Sequence, residues 1–180
     1  MSTLLKVYHS RWATSGIRQW LNASGAANTW WQAKTVFDRP INADVDGFLK
    51  DIDAAFLDII GEVTKTTQKS ISDGYGLETT AEKFFLLSRP EVYGGAERNQ
   101  DGADGTVYAY YGEGHSDLPS PGTGADDNRI KYRKGLEQVW VLRTSSVSSG
   151  YGVRAINRTG QISSSAAYTA NGIAPACVIV

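Results

Sequence analysis

The sequence holds one cysteine, Cys177, and two histidines, His9 and His115, in 180 residues. A lone cysteine closes no internal disulfide, and no cluster of Cys and His has zinc-ligand spacing. Neither kind of staple is expected, and stability must come from packing. An excess of either charge is missing too: 18 basic and 19 acidic residues leave a formal charge of -1, which argues against nucleic acid or anionic lipid as a partner. No stretch approaches the roughly 20 apolar residues that span a bilayer, so membrane insertion is not expected. The opening MSTLLKVYHSRW offers a two-leucine patch where a signal peptide would have an apolar core. The reading is of a soluble product made in a cytoplasm, reaching a cell exterior only on a carrier such as a virus particle.

What is present, 41% hydrophobic and 11% aromatic residues, suffices for one core and a single domain over residues 1–180. In ATSGIRQWLNA, Thr14 or Ser15 can cap a helix whose Ile17, Trp20 and Leu21 share a face. Trp30, Trp31 and Phe37 follow among turn formers, and Pro40 forbids a continuing helix. DVDGFLKDIDAAFLDIIGEV then spaces Phe48, Ile52, Phe56 and Ile59 or Ile60 as a helical stripe, with Asp44 as cap and Gly61 as stop. TLLKVY, KFFLLS, TVYAYY, QVWVLR, YGVRAIN, QISSS and ACVIV read as short strands. Long polar loops occupy GGAERNQDGADG and GEGHSDLPSPGTGADDNRIKYRKG. Helices first and a loop-rich antiparallel sheet after them predict α+β architecture.

Chemistry-bearing residues are sparse. Asp101 and Asp104, then Asp126, Asp127 and Asn128, are oxygen ligands of the type calcium takes, but no EF-hand spacing is present, and Asp and Gly are ordinary turn formers. His115 in GEGHSDLPS has a serine and an aspartate beside it, yet a triad is defined by geometry between distant groups, and no GxSxG elbow accompanies it. DGYG and YGGAERNQDG lack the lysine of a phosphate loop. Cys177 sits in the apolar run PACVIV, as a small buried hydrophobe would. No catalytic residue, metal or cofactor is assigned. The segment 143–171 is different in kind, because its Tyr, Arg, Asn, Ser and Thr form the alphabet of a recognition surface or of an inert solvated sheet.

Taken in order, RWATSGIRQWLNA, GFLKDIDAAFLDII, KFFLLSRPEVYGG, DDNRIKYRKG, VWVLRTSS and GYGVRAINRTGQISSSAAYTANGIAPACVIV resemble an uncharacterised domain of gut bacteria and their prophages. Its members carry an S-x-IRxWLN helix, a K-x-FLLS strand, a WWLR strand and a terminal GV-x-PA segment. The resemblance runs from about Arg11 to Val180. It implies a C-type-lectin-like fold, two helices flanking a small twisted antiparallel sheet with long irregular loops, akin to formylglycine-generating enzymes and variable phage receptor-binding proteins. Trp20 and Leu21 would pack the first helix, Phe84 to Leu87 an inner strand, and Trp140, Leu142 and Arg143 the WWLR strand, with Val141 replacing the second tryptophan. GIAPACVI would close the sheet, and Gly160 to Asn171 would match the exposed variable region.

The same resemblance sets the functional expectation. The copper-binding cysteine pair of the formylglycine-generating relatives has no counterpart, so enzymatic chemistry is disfavoured. The expected role is attachment or host recognition on a phage or prophage virion surface, with a cell-surface glycan or protein as ligand and Tyr151, Asn157, Arg158, Gln161, Tyr168 and Asn171 as its binding face. The alternative is a purely structural capsid or tail component. Family members usually have a longer lead-in with an opening strand that pairs with the last one. The short lead-in here predicts an open edge filled by a homo-oligomer mate or another virion subunit.

Overall fold

A computed structural model describes residues 10–31, 40, 43–94, 104–112 and 127–180. The TLLKVY segment, Phe37, both histidines, Asp101 and Asp126 lie outside the described residues.

The chain begins with a short 3-10 turn, Trp12–Thr14, and a helix α1, Gly16–Leu21. Of the two expected caps, Thr14 and Ser15, it is Ser15 that caps α1, its Oγ accepting from the Arg18 N–H at 3.2 Å. Three more short helices follow among the described residues: α2 (Ala54–Asp58), α3 (Arg89–Tyr93) and α4 (Ala109–Gly112). Beside two further 3-10 turns, Ile71–Asp73 and Asp127–Arg129, the other regular elements among the described residues are strands: β1 (Ile60–Gly61), β2 (Val63–Gln68), β3 (Leu77–Glu82), β4 (Phe85–Leu86), β5 (Lys131–Arg133), β6 (Leu136–Gln138), β7 (Trp140–Ser145), β8 (Gly152–Ile156), β9 (Ile162–Ala166), β10 (Pro175–Ala176) and β11 (Val178–Ile179). They pair antiparallel as β1-β11, β10-β4, β2-β3, β5-β6 and the three-stranded β7-β8-β9.

This arrangement overturns the expected C-type-lectin-like architecture of two helices flanking one sheet. The described residues form several small antiparallel sheets with a few short helices between them. The second expected helix shows why. Its apolar stripe is correctly spaced, but the backbone N–H groups of its first half bond to the end of α1 and the loop after it. Gly47 donates to Gly25 O at 2.9 Å, Phe48 to Trp20 O at 3.0 Å and Leu49 to Ala23 O at 2.9 Å. Gly47 permits that approach, since a Cβ there would lie 2.3 Å from Ala23 O. Only after Asp53, whose carboxylate accepts from the N–H groups of Ala55 and Phe56, does a single helical turn form. Ile60 then leaves it as a buried strand residue.

Two other expectations change. TVYAYY, expected as a strand, has no regular structure at 106–108 and a helical turn at Ala109–Gly112, because Tyr108 N–H bonds Glu91 O at 3.0 Å and Tyr111 N–H bonds Tyr108 O at 2.8 Å. The terminal strand, expected to present an open edge, has a partner within the chain, Ile60↔Ile179 and Gly61↔Val178. The β2-β3 hairpin and the β5-β6 hairpin were not anticipated. In the second, Lys134 and Gly135 take φ of 53° and 77°, the left-handed pair of a two-residue hairpin turn.

The core gathers Leu21, Phe85, Leu86, Val92, Trp140, Leu142 and Ile156, each at 1% exposure or less. Cys177 is half-buried against it.

Candidate functional site

The segments that make the sequence distinctive meet inside the molecule. In SGIRQWLN, Arg18 Nε donates to the buried Glu82 at 3.2 Å and Trp20 Nε1 to Asp46 O at 2.8 Å. Asn22 accepts from the N–H groups of Lys83 and Phe84 at 3.0 and 3.1 Å and donates to Phe84 O at 2.8 Å. That one amide stitches α1 to the start of KFFLLS. The same segment ends at Ser88, which caps α3 in a reciprocal box with Glu91. Pro175 and Ala176 pair with Leu86 and Phe85, while Gly172 bonds the backbone of Val139 and Val141 at 2.8 and 3.1 Å.

At the centre lies Arg143, 2% exposed. Its guanidinium donates to Leu86 O and Asp104 O at 2.8 Å each, to Thr67 Oγ1 at 3.1 Å, to Thr66 O at 3.2 Å and to Glu91 Oε2. Burial alone would push the Glu91 carboxyl up, but the hydrogen bond and charge of Arg143, the Ser88 N–H and the Lys65 charge together hold it below its ordinary value. Asp104 goes the other way: desolvation pushes its carboxyl up despite the Thr144 hydroxyl at 2.7 Å and the charge of Arg143. A cation so completely bonded is a structural keystone, because no donor is left over for an outside ligand.

The exposed chemistry lies at the ends of β8 and β9. Tyr151 immediately precedes β8 and Tyr168 follows β9; the Ala167 N–H to Tyr151 O bond, 2.8 Å, sets these ends side by side. The two rings are 6.3 Å apart between centroids at 34°, and the residues remain 57% and 51% exposed. Asn171 reaches back to donate to Ser165 Oγ at 2.7 Å. The β7-β8 turn beside them is braced by Ile71, whose N–H bonds Val147 O at 3.0 Å. Gly150 is pressed so closely on this neighbour that a Cβ would come within 2.9 Å of Ser72. The β2-β3 turn thus joins the cluster, bringing exposed Ile71 and Tyr75. Tyr75 has φ 58° between Gly74 and Gly76, which also have positive φ. In the sequence DGYG reads only as a glycine-rich stretch, and nothing local places it here.

The six residues expected to form one face fall into two groups. Tyr151, Tyr168 and Asn171 share one end of the β8-β9 hairpin. Asn157, Arg158 and Gln161 belong to the turn at its other end, about 20 Å away at ~3.3 Å per strand residue. There Asn157 Oδ1 accepts from the N–H groups of Thr159 and Gln161 at 2.9 Å each and from Thr159 Oγ1 at 2.8 Å, so its side chain holds the turn. Arg158 is exposed and Gln161 half-buried. Between the ends, Arg154 Nη1 donates to Ser164 Oγ at 2.6 Å, a polar pair the sequence reading did not single out.

Of the acidic candidates, Asp104 is buried in the Arg143 cluster, and Asn128 donates to Tyr110 O at 3.3 Å. Among the described residues, no group of three or more His, Cys, Asp and Glu is placed to hold a metal, and no helix is long and apolar enough to cross a membrane. Residues 4–180 match the family described as Domain of unknown function (DUF6273). No curated protein and no solved structure matches the chain.

Proposed function

The chain belongs to the DUF6273 domain family, and from that premise we propose that it is a non-enzymatic recognition domain whose binding surface is the loop cluster around Tyr151, Tyr168 and Asn171. The observation that carries this reading is the pair of half-exposed tyrosine rings, 6.3 Å apart, projecting from the ends of paired strands. Rigid planar rings give contact area at small entropic cost, while serine and asparagine groups beside them supply adaptable hydrogen bonds. The ligand is a cell-surface glycan or protein. The resemblance to prophage domains supports a virion surface as its place and host attachment as its role.

The test is binding of the purified chain to a glycan array and to whole bacterial cells, with Tyr151→Ala/Tyr168→Ala in parallel. The reading expects binding by the native chain and at least a tenfold loss in the double variant. Undiminished binding by that variant would move the surface elsewhere. Absence of cell and glycan binding, with the tyrosines buried between sister subunits in an assembled particle, would favour a purely structural virion component.

A further inference from the structure

The three-stranded sheet has two edges, and they are treated differently. Along β7 the edge is covered: Gly172 forms a parallel bridge with Trp140, and its N–H and C=O bond Val139 O and the Val141 N–H. Along β9 the bonding phase can be read from its ends. Asn157 N–H bonds Gln161 O at 2.9 Å and Ala167 N–H bonds Tyr151 O at 2.8 Å, within the continuous register Gly152↔Ala166 to Ile156↔Ile162. In an antiparallel pair the bonded partners alternate, so Ser163 and Ser165 face β8 with their backbone groups. Ile162, Ser164 and Ala166 therefore turn theirs outward. Ala166 O accepts from the Thr169 N–H at 2.9 Å; for the outward N–H and C=O of Ile162 and Ser164, no partner occurs among the described residues.

Proteins normally protect such an edge with lysine, proline, a bulge or a covering segment. The strand here reads ISSSA, without proline or charge, and its register with β8 has no bulge. We propose that this edge is a self-association surface on which a second copy of the chain lays its own β9 antiparallel, with the two-fold axis passing at Ser163. In that register Ile162 of one protomer exchanges N–H and C=O with Ser164 of the partner subunit, and Ser164 does so with Ile162 of the partner subunit. The outward N–H and C=O groups of Ile162 and Ser164 are then all paired. Serine side chains let the backbones approach. The guanidinium held by Ser164 lies beside Ile162 of the partner subunit, away from the matching guanidinium. This interface is distinct from the terminal strand, which is paired within the chain, and it does not depend on what the tyrosine pair binds.

Sedimentation equilibrium of the full chain over a dilution series tests it. The expected mass rises with concentration from 19.5 kDa towards twice that value. Ser164→Pro removes an outward N–H that the fold does not use, together with the exposed Oγ that accepts from Arg154, and should stay at the single-chain mass throughout with an unchanged far-UV circular dichroism spectrum. Amide hydrogen exchange on the unmodified chain gives a second readout: Ile162 and Ser164 should slow as concentration rises, whereas Ser163 and Ser165, bonded internally, should not. A native chain that remains at 19.5 kDa across the series, or concentration-independent exchange at Ile162 and Ser164, would overturn the proposal.

Discussion

Replacing Arg143 with methionine keeps most of the side-chain volume and removes the cation from the middle of the molecule. The consequence can be worked from its partners. Glu91, 4% exposed, would keep the Ser88 N–H and Lys65 at 3.1 Å but lose the charge that lies closest to it. Breaking a buried pair from one side costs about 3–5 kcal/mol, because the stranded charge has no solvent to turn to. Leu86 O and Asp104 O would also lose their 2.8 Å donors, at about 1–3 kcal/mol for each group left unsatisfied. The contributions share atoms and will not add fully, so a loss of about 4–6 kcal/mol is the working figure. Against a typical total of about 5–15 kcal/mol, Arg143→Met should lose a large fraction of the chain's stability. Urea denaturation followed by circular dichroism reads this directly. Arg143→Met/Glu91→Gln, which removes the stranded charge as well, should recover part of the loss. A single Arg143→Met variant within about 1 kcal/mol of the native chain would refute the keystone argument, since surface substitutions alone produce changes that small.

The two buried carboxyls around Arg143 should give opposite pH signatures. Glu91, held below its ordinary value, contributes stability that is present above the ordinary carboxylate range and lost as pH falls through it to the lowered native value. Asp104, raised by burial, binds its proton more tightly when folded, so its ionisation costs stability as pH rises out of that range. Asp104→Asn keeps an acceptor for the Thr144 hydroxyl and should raise the denaturation midpoint at neutral pH, with the gain vanishing in acid; an equal gain at both would contradict the assignment. Asn22→Ala should cost about 2–4 kcal/mol by thermal or urea melts, from the amide bonds that stitch α1 to residues 83 and 84. Gly47→Ala should cost about 1–3 kcal/mol because its new Cβ would meet backbone that cannot yield, whereas a neutral result would mean the 47–49 segment is not seated on the end of α1 and the loop after it.

Sequence reading succeeded where one local signal decided the outcome. A cap candidate at Thr14 or Ser15 before Ile17 and Leu21 marked α1, and the alternating or apolar runs around Trp140, Val153 and Ile162 marked β7, β8 and β9. It failed where the deciding partner was distant. The stripe Phe48, Ile52, Phe56 has helical spacing, yet the backbone of residues 47–49 is taken by residues 20–25. The β2-β3 hairpin went unnoticed because VTKTTQ and LETTAE carry threonine and charge where a strand is usually recognised by apolar alternation. Arg143 stood in a familiar segment, but nothing local announces that an arginine will be buried among carbonyls. The candidate surface was half legible. Its exposed tyrosines lie in the segment singled out by composition, whereas the division between the Tyr151 and Asn157 ends depends on strand register, which composition does not carry.

The proposed recognition surface is the Tyr151–Tyr168 end of the β8-β9 hairpin, on a framework pinned by Arg143. A photo-crosslinking amino acid placed at position 168 and, separately, at position 158 tests it most directly. Irradiated with envelope fragments of a bacterial host, the chain labelled at 168 should form a covalent adduct and the chain labelled at 158 should not. Adducts from 158 alone, or from neither position while the chain still binds, would contradict the account.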